Sequence, residues 1–298
     1  MTAAETGIRI ELKNVLLLTD FSEPSESALR FAATIARQYG AELHALHVLV
    51  PRPLLYTSPE AMAGIAAMEE AAACEMQRVD SQLAGVSHET TTMRAPDVWT
   101  AVEQAVAASN ADLLVLGTHG RTGLQKLMLG SVAEEVFRKA TVPVLTIGPH
   151  VRGGAHGGGR FHRVLYATDF SAEAKAAAPY ALSLAQEAQA QLVLLHVMTT
   201  SGENGARGAA ASSIADAMHK LLELAPEEAK LWCRPEPVVQ YGQVAERILE
   251  EARGRKADLV VLGVRAPEGP VALATHTPRS VAYRVVANAP CPVLTVRA

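Results

Sequence analysis

Cysteine is scarce in this chain. Three residues in 298, Cys74, Cys233 and Cys291, lie far apart, fit no metal-ligand spacing and leave one unpaired in any disulfide scheme. They read as reduced core residues, which points to the cytoplasm. No apolar run approaches the roughly 20 residues that a membrane helix needs, and the N-terminus shows no basic segment followed by an apolar stretch. The expectation is therefore a cytoplasmic chain with no membrane partner. There is no long Lys/Arg run either, and the formal net charge is −4, so neither nucleic acid nor an anionic membrane meets a basic field. Charged residues make up 19% against 49% hydrophobic, which supplies globular cores and argues against extended disorder.

Motifs that would announce an enzyme are missing too. No Gly-x-Ser-x-Gly elbow precedes any of the ten scattered histidines, so no Ser-His-Asp arrangement follows from the sequence. No Gly-Lys-Ser/Thr closes a Walker loop, and no Gly-x-Gly-x-x-Gly marks a dinucleotide site.

What is present is an internal repeat. Val15-Leu-Leu-Leu-Thr-Asp20-Phe-Ser returns as Val164-Leu-Tyr-Ala-Thr-Asp169-Phe-Ser at an offset of 149, and His47-Val48 returns as His196-Val197. Ala111-Asp-Leu-Leu-Val-Leu-Gly117 matches Ala257-Asp-Leu-Val-Val-Leu-Gly263 at 146, and Val142-Pro-Val-Leu-Thr matches Cys291-Pro-Val-Leu-Thr at 149 again. Only the loop between these segments changes length. The expected organisation is a first domain at 1–150, a Gly-rich linker at 151–160 and a second domain at 161–298.

Within the first copy, apolar runs predict strands near 14–18, 42–49, 88–93, 112–116 and 143–147. Helical spacing falls at 22–39, with Pro24 in the first turn and Gly40 past the end, at 59–84, at 97–108 and from 131. Strand and helix in alternation predict an α/β fold with a parallel sheet covered on both faces, and a ligand crevice beyond the strand carboxyl ends.

Gly117-Thr-His-Gly120-Arg-Thr-Gly-Leu-Gln-Lys-Leu-Met-Leu-Gly130-Ser131 spans a strand-to-helix loop. Its glycines allow close backbone approach, and the helix start at Gly130-Ser131 offers unpaired amides and a positive dipole end to an anionic oxygen, naturally a phosphate. An ordinary helix entry with Ser131 as cap is the alternative. Asp20 is either a hydrogen-bond acceptor for a ligand or an Asx-type cap before the following helix, a role Asp169 repeats. In the second copy, Ala266, Pro267 and Pro270 replace the glycine pattern and Arg279 stands at the place of Gly130, so the cradle is lost there.

Gly, two residues, Gly, nine residues, Gly and Ser is the pattern carried by ATP-binding universal stress proteins, and across nearly its whole length the chain resembles a tandem member of that family. The resemblance implies two doubly wound, five-stranded parallel sheets of strand order 3-2-1-4-5, an adenine nucleotide alpha hydrolase-like fold. It implies ATP, with Mg2+, in the first copy, held by Asp20, the backbone at Val48, Gly117, Gly120, Gly130 and Ser131. Within the loop itself, the cations Arg121 and Lys126 either meet the phosphate charge or stay solvated, and His119 is equally ambiguous. The resemblance further implies edge strands that pair the two copies as an internal pseudo-dimer, a homodimer of the chain, a regulatory role in stress response and a protein partner not identified by sequence. Two alternatives stand beside this: a slow ATPase or nucleotidyl-transfer enzyme using the same crevice, and a ligand-free dimerising scaffold.

Overall fold

The computed structural model of the chain describes residues 9–50, 59–118, 129–151, 161–199, 207–227, 229, 232–233, 235–265 and 280–297. The chain divides into two bodies, Glu11–Pro149 and a second formed by His150–Ala298 with the segment ending at Ile10. Arg9 and Ile10 fall within the 1–150 span expected for the first domain, yet they group with the second body. Arg9 Nε lies 3.2 Å from Glu187 Oε1, and the Ile10 amide donates to Ser183 Oγ at 3.1 Å.

In the first body, β1 (Asn14–Leu18), α1 (Glu23–Tyr39), β2 (Glu42–Leu49), α2 (Pro59–Gln82), β3 (His88–Arg94), α3 (Val98–Ser109), β4 (Leu113–Gly117), α4 (Ser131–Lys139) and β5 (Val144–Ile147) alternate along the chain. The five strands form a parallel sheet in the order β3-β2-β1-β4-β5. Strand β1 is central because its residues can be buried on both faces: Val15, Leu16 and Leu17 have at most 1% of their surface exposed. Helix α1 begins with Glu23 and Pro24, residues suited to the positive end of a helix and to a turn needing no amide donor, and ends at Gly40 with φ 68°.

The second body repeats the design. It runs β6 (Arg163–Ala167), α5 (Ala172–Ala188), β7 (Gln191–Met198), α6 (Arg207–Glu223), β8 (Glu236–Tyr241), α7 (Val244–Gly254), β9 (Leu259–Val264), α8 (Val281–Asn288) and β10 (Val293–Arg297). Its strands are parallel in the order β8-β7-β6-β9-β10, the same 3-2-1-4-5 topology.

The repeated aspartates are structural staples. Asp112 Oδ2 accepts the amides of Lys13 and Asn14 at 2.7 and 2.9 Å, tying the start of β1 to the start of β4. Asp258 Oδ2 does the same for His162 and Arg163 at 2.8 and 2.9 Å. One repeat position is less well matched: Gln189 occupies the left-handed helix end that Gly40 fills in the first body, with φ 53°. A side chain there costs roughly 1 kcal/mol or more, partly offset by the greater chain entropy of glycine. Gln189→Gly is expected to stabilise the second body by about 0.5 kcal/mol, read as a higher urea midpoint at unchanged slope.

Candidate functional site

A cavity of about 200 Å3 opens beyond the carboxyl ends of β1, β2 and β4, bounded on its far side by the first turn of α4. It is the crevice where a parallel sheet reverses its winding, and five of the sequence-expected residues line its wall: Asp20, Val48, Gly117, Gly130 and Ser131. Gly120 and Arg121 lie outside the described residues, as do His119 and Lys126.

Asp20 ends the turn after β1. Its Oδ1 accepts from the Ser22 amide at 3.1 Å and from the hydroxyls of Ser22 and Ser25, each at 2.5 Å. The Asx turn is therefore real, and the same carboxylate lines the cavity. Burial alone would raise its pKa, but the bonds from Ser22 and Ser25 together outweigh that and hold it below the ordinary 3.8. A carboxyl depressed in the folded state stabilises the fold above its unfolded pKa, and that contribution is lost as pH falls through the lower folded value. The stability difference between the natural chain and Asp20→Asn is thus expected to be full at pH 5 and to shrink steadily below pH 3.8, measured by urea unfolding of both across that range.

Apart from the Ser25 hydroxyl, which Ala174 replaces, the turn recurs in the second body. Phe21 and Phe170 each take φ 63°, Nδ1 of His47 and His196 donates to the carbonyl of Thr19 and Thr168 at 2.8 Å, and each imidazole stacks on its phenylalanine at 4.3 or 4.5 Å between centroids. The matched histidines therefore hold the turn, in keeping with their recurrence in the sequence.

Gly117 has a different reason for being glycine than the phosphate loop suggested. A Cβ there would sit 2.9 Å from Pro24 Cβ and 3.1 Å from the Ser25 amide nitrogen, so α1 packs directly on the end of β4. A Cβ at Gly263 would meet a tighter version of the same packing, against the Glu173 carbonyl oxygen and the Ala174 backbone. The first glycine of the motif survives in the second copy because the fold requires it there.

The far side of the cavity is the start of α4. Gly130 is its N-cap, with φ −61° and no side-chain cap, and its amide is bonded to the Thr118 carbonyl at 2.8 Å, which joins the two ends of the loop. Ser131 is the first helical residue rather than the cap that the ordinary-entry reading required. The first helical bond runs from Glu134 to Gly130, leaving the amides of Ser131, Val132 and Ala133 without helical acceptors, and all three residues line the cavity. In the second body the helix supplies its own cap: Ser280 Oγ accepts from the Tyr283 amide at 3.2 Å. One cavity thus presents a carboxylate at one end and uncapped amides at the other. Two polar groups that the motif did not single out, Ser25 and Thr118, complete its wall. Their partners in the second copy are Ala174 and Val264, and that contrast between the copies was a signal available in the sequence.

Known proteins resemble the chain in sequence and in fold. The sequence model of the universal stress protein family matches residues 11–148 and 160–297. A universal stress protein of Mycolicibacterium smegmatis is 27% identical over 294 residues, covering 95% of this chain and 96% of that one. Another, from Methanocaldococcus jannaschii, is 32% identical over 139 residues, covering 45% of this chain and 81% of that one. Among solved structures, a universal stress protein from Archaeoglobus fulgidus superimposes with a TM-score of 0.69 at 21% identity, covering 97% of this chain and 99% of that one.

Proposed function

The chain belongs to the universal stress protein family, and we propose that its first half is a regulatory module that binds ATP in the cavity between the β1 turn and α4. The observation that carries this reading is the uncapped start of α4, whose amides have no partner within the helix while its counterpart in the second half caps itself. Helix amides and the positive dipole end suit phosphate oxygens, and the carboxylate at the opposite end suits the donors of a base amino group or ribose hydroxyls. In this assignment Asp20 and the backbone at Val48 meet the nucleoside, while Gly117, Gly130 and Ser131 stand at the phosphate end, with Gly120 and Arg121 contributed by the loop. Among the described residues no group of three or more His, Cys, Asp and Glu gathers to hold a metal. Mg2+ would therefore enter on the triphosphate, where phosphate oxygens and water suit its octahedral demand.

ATP bound at 100 times its Kd would stabilise the first half by about 2.7 kcal/mol, enough to shift the population of any partner surface that depends on the ordered loop. A cytoplasmic location belongs to the same reading and rests on the three free cysteines, of which Cys291 is buried, Cys233 half-buried and Cys74 exposed, so they are not all core residues. No helix among the described residues is long and apolar enough to cross a membrane. Association through the short edge strands, as an internal pseudo-dimer and as a homodimer of the chain, belongs to the same proposal and is checked by light scattering with and without ATP.

The direct test is to purify the chain without added nucleotide, denature it in acid and identify what is released. Roughly one adenine nucleotide per chain is expected if the Kd lies well below the nucleotide concentration of the host. Reconstitution of the emptied chain with ATP should restore the same stoichiometry, and a chain that neither carries nor takes up adenine nucleotide overturns the proposal.

A further inference from the structure

We propose that the second half contains its own ligand site, for a small ring-bearing molecule with hydroxyl or amino donors and no phosphate. A cavity of about 210 Å3 lies beyond the ends of β6, β7 and β9, nearly the volume of its counterpart in the first half. Loss of the glycine pattern has therefore not closed it. Size does not separate the two cavities, but the chemistry of their walls does.

The first cavity is edged by Ser25, Thr118 and Ser131; the positions matching them in the second are Ala174, Val264 and Ser280. Ser280 is committed to its own helix through the Tyr283 amide, so the start of α8 has one donor fewer for an anion. The neighbouring cation is engaged as well, since Arg265 Nε stands 3.7 Å from Glu173 Oε1. What remains is an apolar slot walled by Val197, Val244, Ile248 and Val281, with Asp169 at its rim.

Asp169 supplies the polar end. Its Oδ1 accepts from the Ser171 amide at 3.0 Å, which fixes the carboxylate's orientation. Burial raises its pKa, while bonds from Ser171 and the charge of Arg265 lower it further than burial raises it, so the group is ionised at neutral pH. An ionised acceptor over an apolar slot favours hydroxyl and amino donors on a flat ring, and disfavours a triphosphate, for which the start of α8 offers one amide fewer than the start of α4. This site is argued from the second body alone and does not depend on ATP binding in the first.

Adenosine is a suitable probe, because it carries the ring and the donors without the phosphates. It is titrated calorimetrically into the full chain carrying Gly130→Arg, and into the same chain carrying in addition Asp169→Asn or Val281→Phe. The amide introduced by Asp169→Asn keeps an acceptor for the Ser171 amide, and the thermal midpoint of each variant verifies folding. Saturable adenosine binding is expected in the parent variant, weakened about tenfold by Asp169→Asn and removed by Val281→Phe, with ATP binding more weakly than adenosine. Absence of saturable binding at millimolar adenosine, indifference to either second-half substitution, or ATP binding the more tightly would overturn the inference. Failure of ATP uptake by the natural chain would count against the first-half reading and leave these outcomes intact.

Discussion

Replacing Gly130 with arginine is expected to weaken ATP binding at least about 100-fold, some 2.7 kcal/mol, while leaving the fold in place. The two halves of that expectation come from separate observations. The backbone at Gly130 has φ −61° and ψ 154°, an extended conformation open to any residue, and its amide bond to Thr118 does not involve a side chain. Stability should therefore move by no more than about 0.5 kcal/mol. Binding should not survive, because a long side chain would enter the space in which phosphate oxygens approach the amides of Ser131, Val132 and Ala133. The sequence has made this substitution once already, at Arg279 in the second copy. Gly130→Ser provides a finer probe: a hydroxyl at the N-cap would bond the first-turn amides as Ser280 does, competing with phosphate while adding a few tenths of a kcal/mol to stability. Calorimetric titration with ATP and urea unfolding, run on the same preparations, separate the two effects.

Gly263→Ala is expected to be the most damaging single substitution in the second body, costing about 3 kcal/mol or more. Its Cβ would overlap the Glu173 carbonyl oxygen and both the nitrogen and the Cα of Ala174. These are backbone atoms in the first turn of α5, so no rotamer change relieves the overlap and the helix must move off the sheet. Gly117→Ala meets Pro24 Cβ at 2.9 Å and backbone atoms at 3.0 and 3.1 Å, a milder conflict expected to cost about 1–3 kcal/mol. Urea unfolding should therefore rank Gly263→Ala above Gly117→Ala in damage. The opposite order would contradict the closer backbone packing at Gly263.

These two glycines show where sequence reasoning reaches and where it stops. The alternation of strand and helix, the repeat and the parallel order are legible because buried strands must be near-continuously apolar, and β1 and β6 are so from Val15 and Val164 onward. The meeting of Asp20 with Gly130 follows from that topology. The reason for Gly117 does not, because the motif offers a ligand explanation while the distance to Pro24 exists only once α1 is docked. Ser131 reads as a potential cap in the sequence for a related reason: a one-residue shift in where a helix begins leaves no mark on composition, yet it decides whether the amides are capped. Ser25 looks like an ordinary first-turn residue, although its hydroxyl is one of the three donors on Asp20. The Asx turn and the ligand acceptor, set out as alternatives for Asp20, are compatible, since one oxygen forms the turn at the wall of the cavity.

The most direct measurement is a crystal structure of the full chain grown with ATP and Mg2+. The account predicts triphosphate density against the amides of Ser131, Val132 and Ala133, with the nucleoside toward Asp20, and no nucleotide in the cavity beside Asp169. Triphosphate density in the second cavity with the first one empty would contradict it.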